Sequence, residues 1–297
     1  MEMVEVKEGY IRFGEYETYY RTVGFETSKK APLIVLHGGP GSTHNYFEVL
    51  DEVAVSSGHP IIMYDQLGCG KSSMPDKPEL WNMETWLEEL RNVIAYFDLE
   101  EYHILGQSWG GMLLLQYVCD DKPKALKSMV LSSTLPSSAL WGQEQHRLIR
   151  FMSEEDQQAI KLAEQTGDYS TSAYKKANDT FMLRHAGDVP TKNSPEPIRR
   201  EKRIGRQSYE TAWGPNEFTP LGTLKDFDCQ EQLKEIPYPT LVISGINDLC
   251  TPIIAKKMVD EIPNATWELF GNSRHMPFVD EHETYCRVLH HWLVESE

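Results

Sequence analysis

Short apolar runs bounded by polar, glycine or proline residues recur along this chain and predict buried strands. Such runs lie at residues 32–36, 60–64, 102–105 and 240–244, and the more mixed segments 125–131 and 265–270 are also predicted as strands. Residues 10–22 instead alternate between apolar and polar side chains, as in a half-exposed hairpin. Helical spacing follows several runs, and one such stretch has its apolar face at Trp86, Leu90, Val93, Ile94 and Phe97. Strands that alternate with helices predict an α/β fold with a doubly wound, mostly parallel sheet.

The pattern changes after Ser132. From residue 133 to residue 238, polar and aromatic helical segments replace the strand runs, and the sheet resumes at Pro239. We therefore predict a core formed by residues 1–132 and 239–297, and a helical cap formed approximately by residues 133–238. A cap inserted between two strands would cover one edge of the sheet, shape a pocket there and exclude water.

The segment Gly106-Gln107-Ser108-Trp109-Gly110 joins a predicted strand to a predicted helix. A serine with glycine two residues before and two residues after it, in this context, is typical of a nucleophile elbow. The glycines are needed because the tight turn brings other backbone atoms against positions 106 and 110. We therefore predict that Ser108 is a catalytic nucleophile with its Oγ exposed above the sheet. Taken alone, the pattern also fits an ordinary turn.

A glycine-rich segment, His37-Gly38-Gly39-Pro40-Gly41, directly follows the first buried strand run. Backbone N–H groups in such a loop stabilise the negative charge that develops on the carbonyl oxygen during acyl transfer. We assign one donor of this oxyanion hole to Gly39, with Gly38 as the near alternative. The second donor is assigned to Trp109, the residue after the nucleophile. An exposed turn is the alternative interpretation of the glycine-rich segment.

Two further polar residues each come after one of the last two strand runs, Asp248 and His275. With Ser108 they have the chain order of an α/β-hydrolase triad. In that arrangement His275 accepts the serine proton as general base, while Asp248 orients the imidazole and stabilises its cation. Each residue also has an ordinary interpretation, His275 as one of ten histidines and Asp248 as a helix N-cap before Thr251.

Composition narrows the class of protein. The chain has 297 residues, enough for one large α/β domain with an inserted segment. Its five cysteines are scattered and have neither metal-ligand spacing nor a disulfide framework, so we expect reduced thiols and no metal or other cofactor. The N-terminal segment is neither basic nor apolar, so we expect no signal peptide, and no apolar run is long enough to cross a bilayer. We therefore expect a cytoplasmic protein.

The net charge of −16 argues against nucleic acid and anionic membranes as partners, because both require a basic surface. One basic cluster stands out, Arg199 to Arg203 together with Arg206, and we interpret it as a solvated helix face. Nothing in the sequence indicates an oligomeric state. The expected partner is therefore a small-molecule substrate.

Four segments together resemble the proline iminopeptidase (prolyl aminopeptidase) family of α/β hydrolases. They are HGGPG at 37–41, DQLGCGKS at 65–72, GQSWGG at 106–111 and WGPNEF at 213–218. The resemblance spans essentially the whole chain. It implies a capped α/β hydrolase that releases an N-terminal residue, often proline, from short peptides, amino-acid amides or arylamides. It also implies the triad Ser108, Asp248 and His275.

An exopeptidase must recognise a free amine, and a carboxylate in the cap can neutralise the substrate ammonium and set its distance from the nucleophile. Glu217 corresponds to the family's cap glutamate. Family members commonly have a second carboxylate directly after the triad aspartate, where this chain has Leu249. A single carboxylate would hold the amine less tightly. Trp213, Tyr209 and Trp109 are expected to line an apolar pocket for a proline-like ring, with ordinary packing as the alternative.

Other functions fit the same fold. A carboxylesterase, lactonase, amidase or C–C bond hydrolase uses the same triad and oxyanion hole on acyl compounds without a free amine. Glu217 and the cap are therefore the features that favour a peptidase. A dehalogenase or epoxide hydrolase needs a carboxylate at the elbow, and Ser108 argues against both. A binding protein of this fold would need neither an intact triad nor two oxyanion donors.

Overall fold

The computed structural model describes residues 5–297. Residues 1–4 belong to the N-terminal segment in which we expected no signal peptide, and they lie outside the described residues. Across residues 5–297, every helix is too short or too polar to span a lipid bilayer.

The described residues contain one eight-stranded sheet with the order β1-β2-β4-β3-β5-β6-β7-β8. Its strands are β1 (Val6–Phe13), β2 (Tyr16–Val23), β3 (Leu33–Leu36), β4 (Ile61–Tyr64), β5 (Tyr102–Gln107), β6 (Leu126–Ser132), β7 (Thr240–Gly245) and β8 (Ala265–Phe270). The hairpin β1–β2 and the pair β2–β4 are antiparallel, and the remaining neighbours are parallel. The predicted doubly wound, mostly parallel sheet is thus confirmed.

Both faces of the sheet are buried at its central strands, including β3, β4, β5 and β7. In β3, Leu33 and Val35 belong to one apolar cluster, whereas Ile34 and Leu36 belong to the other. Consecutive side chains of a strand point to opposite faces, so a continuous apolar run predicts a strand covered on both sides. This explains why the apolar runs located the parallel strands from sequence alone.

The helices connect these strands and form the layers on the two faces. They are α1 (Asp51–Ser57), α2 (Met83–Tyr96), α3 (Trp109–Asp121), α4 (Ser138–Ile149), α5 (Glu154–Thr166), α6 (Ser172–His185), α7 (Glu196–Arg199), α8 (Arg206–Ala212), α9 (Pro252–Glu261), α10 (Pro277–Asp280) and α11 (His282–Glu295). Short 3-10 helices occupy His44–Leu50, Pro78–Leu80 and Gln230–Glu235. Helices α2, α3 and α9 pack on one face, and α1 and α11 pack on the other.

The chain between β6 and β7 contains α4 to α8. Its two ends meet in an isolated antiparallel bridge between Ser137 and Asp228. Backbone hydrogen bonds extend this bridge, from Ser138 N to Phe227 O at 2.9 Å and from Cys229 N to Pro136 O at 2.9 Å. The insertion therefore leaves and re-enters the core at one place. The residue boundaries given above for the cap remain a prediction.

Most residues of the basic cluster are exposed, as expected, but the cluster does not form one helix face. Helix α7 ends at Arg199, and Arg200 has an extended ψ of 135°. Arg203 binds the core loop after β4, with Nε donating to Gly70 O at 2.8 Å and a terminal nitrogen donating to Ser72 O at 2.7 Å. These bonds hold the segment between α7 and α8 in a non-helical path along the core.

Candidate active site

Ser108 lies at the turn between β5 and α3, with φ of 55° and ψ of −123°. A φ in this region is strained for a residue with a side chain. The flanking glycines permit the turn, since a Cβ at Gly106 would overlap the carbonyl of Gly110 and a Cβ at Gly110 would overlap that of Leu36. The Ser108 carbonyl accepts a hydrogen bond from Thr134 Oγ1 at 2.6 Å. This geometry is that of the predicted elbow.

The Ser108 side chain lines a cavity of about 530 Å³. Core residues on its wall include Gly39, Gln107 and His275, which follow or end different strands. The inserted segment contributes further side chains to the same wall, among them Lys202, Tyr209 and Glu217. The carboxyl ends of the parallel strands and the inserted helices therefore enclose one space above the serine, where ligands bind in open α/β sheets.

Asp248 and His275 form a direct contact. Asp248 Oδ1 lies 2.7 Å from His275 Nδ1. The same carboxylate accepts backbone hydrogen bonds from Gly245 N at 3.1 Å and Cys250 N at 2.9 Å. These bonds hold the carboxylate in place. The alternative role of Asp248 as a helix N-cap is wrong, because Thr251 caps α9 and accepts a bond from Ile254 N.

The loop between β8 and α10, here called the His275 loop, is held by two further hydrogen bonds. His275 N donates to His185 O at 3.1 Å, and Gln107 Nε2 donates to His275 O at 3.3 Å. Ser108 and His275 line the same cavity, but no hydrogen bond of 3.5 Å or less joins their side chains within the described residues. Catalytic hydrogen bonds are often longer without substrate and shorten when it binds.

The two candidate oxyanion donors in the glycine-rich loop, Gly38 and Gly39, differ in whether their N–H group already has a hydrogen-bond partner. Gly38 N donates to Tyr46 Oη at 2.6 Å, so this N–H already has a partner. Within residues 5–297, neither Gly39 N nor Trp109 N donates to a protein acceptor. Trp109 opens α3, where first-turn N–H groups lack intrahelical partners. The geometry favours Gly39 over Gly38 as the upstream donor.

Tyr46 and Gln107 support this arrangement, and sequence reasoning missed both. Tyr46 Oη donates to Gln107 Oε1 at 3.0 Å while accepting the Gly38 N–H. Gln107 in turn holds the His275 loop through its amide nitrogen. A buried tyrosine and the residue before the serine thus connect the glycine-rich loop to the histidine loop. The position of Gln107 inside the elbow motif was the available signal, whereas none pointed to Tyr46.

Glu217 and Tyr209 lie together on the inserted segment. Tyr209 Oη donates to Glu217 Oε1 at 2.8 Å. Burial raises the pKa of Glu217 above its ordinary value, although the Tyr209 hydrogen bond and the nearby His275 oppose this shift. Glu217 lines the cavity that contains Ser108. The structure therefore brings this carboxylate, Tyr209 and the candidate nucleophile to one space.

A second, small cavity of about 10 Å³ adjoins Ser108, Gly39 and Glu217. Its remaining walls are apolar: Trp109, Met112, Leu135, Trp141 and Trp213. The Trp141 ring lies 6.0 Å from the His275 ring, and Trp141 Nε1 donates to Glu217 O at 2.7 Å. Trp141 was not identified from sequence, although α4 begins close behind β6.

Leu249 lies outside both cavities. Its side chain is fully buried, and its carbonyl accepts a bond from Gln145 Nε2 at 2.7 Å. Glu217 is the carboxylate among the residues that line these two cavities. The described residues thus place a single acidic side chain beside the candidate nucleophile.

One group of side chains has the spacing of metal ligands. Potential ligand atoms of Glu52, His282 and Cys286 lie within 4.8 Å of one another. Burial raises the pKa of the Cys286 thiol, which disfavours the thiolate that binds metals. These residues belong to α1 and α11 and line neither cavity beside Ser108. They have no part in the geometry described above.

The chain is similar to known proteins along almost its whole length. Residues 31–282 match the family model of the alpha/beta hydrolase fold. The chain is 56% identical to the proline iminopeptidase of Levilactobacillus brevis over 294 residues, covering 99% of this chain and 98% of that protein. The solved proline iminopeptidase of Mycobacterium smegmatis is 30% identical with a TM-score of 0.84, and 98% of each chain is covered. The crystal structure of VinJ is 31% identical with a TM-score of 0.89, covering 98% of this chain and 99% of that one.

Proposed function

This chain belongs to the proline iminopeptidase family of α/β hydrolases, and from that premise we propose that it is a serine hydrolase which releases an N-terminal residue through an acyl-enzyme on Ser108. The substrates are short peptides, amino-acid amides or arylamides, with proline or another small or apolar residue as the acyl group. The observation that carries this proposal is the carboxylate of Glu217 in the same cavity as Ser108.

The proposed reaction begins when Ser108 Oγ attacks the scissile carbonyl and its proton passes to His275 Nε2. Asp248 keeps the proton on His275 Nδ1 and stabilises the imidazolium. The carbonyl oxygen becomes an oxyanion and accepts hydrogen bonds from Gly39 N and Trp109 N. The C–N bond then breaks, and His275 returns the proton to the leaving amine. Water, activated by His275 in the same way, hydrolyses the acyl-enzyme.

Glu217 is proposed to bind the free α-amine of the substrate. A charged hydrogen bond to an ammonium is stronger than one between neutral groups, and burial from water increases this difference. Tyr209 fixes the carboxylate by donating to Oε1, which leaves further acceptor positions for the substrate. With Leu249 buried outside the cavity, this one carboxylate must provide the charge that neutralises the amine.

Trp109 and Trp213 are proposed to contact the side chain of the N-terminal residue, because both line the small cavity beside Ser108. A volume of about 10 Å³ holds about one water molecule. A pyrrolidine ring is larger, so the acyl residue must also occupy the part of the main cavity next to Gly39 and Glu217. Flat apolar walls favour a compact ring or a small side chain over a charged one.

The proposed partner is therefore a small peptide or amide, and neither nucleic acid nor membrane is a proposed partner because the net charge is −16. We also propose a cytoplasmic location. All five cysteines are free thiols, which suits a reducing compartment. The esterase, lactonase and amidase alternatives are not favoured, since they would give Glu217 no substrate charge to neutralise.

The proposal is tested by measuring kcat/KM on prolyl, alanyl and leucyl arylamides, on an N-acetylated prolyl arylamide and on a short-chain acyl ester. Ser108→Ala serves as the blank, because the serine has no substitute as nucleophile. We expect turnover of the free-amine arylamides to exceed turnover of the N-acetylated compound. Activity confined to the ester or to the N-blocked compound would establish the esterase alternative instead.

A further inference from the structure

Lys202 is an unpaired cation on the wall of the main cavity. It follows α7 in the non-helical basic segment and lines the same space as Ser108 and His275. Among the described residues, no carboxylate lies within 4.0 Å of Lys202 Nζ, and no acceptor forms a hydrogen bond with it. Its Nζ lies 5.0 Å from the centroid of the Tyr46 ring. The ammonium therefore retains its hydrogen-bonding capacity for a ligand.

The neighbouring arginines of this segment already have protein partners. Arg200 binds Glu48 at 2.7 Å and also binds Glu196. Arg203 donates to backbone carbonyls of the core, as described above. Arg206 also lines the cavity, but its Nε donates to Glu210 at 2.7 Å. Lys202 differs from these three because its ammonium group has no acidic partner among residues 5–297.

The Lys202 ammonium loses part of its hydration in this position, and a ligand that binds it can compensate for that loss. The Lys202 side chain is partly buried, and burial lowers the pKa of its ammonium. A bound anion would restore the lost solvation through charge-assisted hydrogen bonds. The position thus favours a negatively charged group of the substrate over a neutral one.

We propose that Lys202 binds the C-terminal carboxylate of a short peptide whose scissile carbonyl lies on Ser108. The assignment rests on the proposed function, since it requires a peptide with its N-terminal residue at Glu217. Glu217 borders both the small and the large cavity, whereas Lys202 lines only the large one, so this assignment places the leaving residue in the large cavity. A dipeptide is a zwitterion, with an ammonium and a carboxylate that match these two side chains.

The position of Tyr46 supports this assignment. Lys202 Nζ lies over the face of its ring, while its hydroxyl accepts a hydrogen bond from Gly38 N, next to the proposed oxyanion donor. The same aromatic side chain therefore contacts the Lys202 ammonium and the glycine-rich loop. We expect selectivity for peptide length, because each added residue moves the carboxylate further from the scissile carbonyl.

The test compares two substrates that differ only at their C-terminus, prolyl-glycine and prolyl-glycinamide. We expect Lys202→Met to lower kcat/KM for prolyl-glycine by about tenfold, the loss typical of one charged hydrogen bond. Its kcat/KM for prolyl-glycinamide and for a prolyl arylamide should stay within about twofold of wild type. Lys202→Arg should retain most of the preference for the free carboxylate.

Arg199→Met is the matched control. It removes one positive charge from the same segment, but Arg199 is exposed and lies outside the cavity lining. It should therefore leave the ratio between the two peptides unchanged. Equal losses of Lys202→Met on the acid and the amide, or an equal change in Arg199→Met, would overturn the assignment while leaving the proposed function intact. If the wild type hydrolyses none of the three compounds, the result would instead contradict the proposed function, and this assignment with it.

Discussion

The core and the inserted segment contribute different kinds of polar group to the same cavity. On the core side, Asp248 accepts hydrogen bonds from two backbone N–H groups in addition to its contact with His275. On the inserted side, Glu217 has one side-chain donor, Tyr209, and Lys202 has no protein acceptor among the described residues. The core groups are fixed by the protein, whereas the inserted groups keep capacity for a ligand.

We therefore expect the core groups to act in the reaction itself and the inserted groups to recognise the substrate. Groups fixed by backbone bonds have the same geometry for every substrate, so their loss should affect all substrates alike. Groups with free hydrogen-bonding capacity contribute only when a substrate supplies the matching charge. The comparison can therefore be tested with variants on each side, assayed on substrates with and without a free amine.

The largest common effect is expected from Asp248→Asn. The amide cannot hold His275 in the tautomer that accepts the serine proton, and the same change in a serine protease lowers kcat by about 10⁴-fold. We expect a loss of this order on prolyl arylamide and on a short-chain ester alike, measured as kcat. A loss restricted to free-amine substrates would show that Asp248 belongs to recognition rather than to chemistry.

A smaller common effect is expected from Tyr46→Phe. The change removes the acceptor of the Gly38 N–H and the donor to Gln107, so the glycine-rich loop and the His275 loop lose their connection. Small displacements of reacting groups are costly, and we expect kcat to fall on the order of tenfold for both substrate types. A selective loss on one substrate type would place Tyr46 with the recognition groups.

Acidic pH should act selectively through Glu217. Burial raises its pKa, so on acidification this carboxylate protonates earlier than an exposed glutamate does. The protonated form cannot neutralise the substrate amine. We expect the ratio of kcat/KM for prolyl arylamide to that for its N-acetylated form to fall severalfold as the pH decreases. The ratio should not depend on pH in Glu217→Gln, and a pH-dependent ratio in that variant would assign the effect to another group.

Glu89 is a second buried glutamate with a raised pKa, but it lies outside the cavity lining. It is fully buried on α2, accepts Leu67 N at 2.9 Å and contacts Thr18 Oγ1, and burial raises its pKa to about 7. Since the folded protein resists ionisation of Glu89, this group reduces stability as the pH rises from about 4.5 to about 7.

We therefore expect the free energy of unfolding of Glu89→Gln, relative to wild type, to rise by about 3 kcal/mol over that range. Urea denaturation at both pH values measures this change. Activity at neutral pH should be unchanged, because Glu89 lies outside the cavity lining. A difference in stability that does not depend on pH would show that the Glu89 carboxyl titrates alike in the folded and the unfolded protein.

The sequence predicts the core well because its signals are local. The parallel strands are short, mostly apolar segments, and the ends of these segments locate Ser108, Asp248 and His275 at one edge of the sheet. The elbow requires glycines within two residues of the serine, so this motif is also visible in a short segment. Order and spacing along the chain therefore suffice for the fold class and for the candidate triad.

The path of the inserted segment and the hydrogen bonds that hold the glycine-rich loop depend on contacts between distant parts of the chain. Tyr46 meets Gln107 across 61 positions, and Arg203 reaches Gly70 across 133 positions. The expectation of a helix at the basic cluster failed for this reason. Pro195 and Gly205 flank that segment and argue against a continuous helix, but only the contacts with the core determine that Lys202 faces the cavity.

The central claim is that Glu217 binds the free α-amine, and the kinetics of Glu217→Gln test it most directly. Glutamine keeps the acceptor for Tyr209 and removes the charge. We predict that kcat/KM on prolyl arylamide falls about a hundredfold, the effect of losing a buried charged hydrogen bond, while kcat/KM on a short-chain ester changes by less than about threefold. Equal losses on the two substrates would contradict the account.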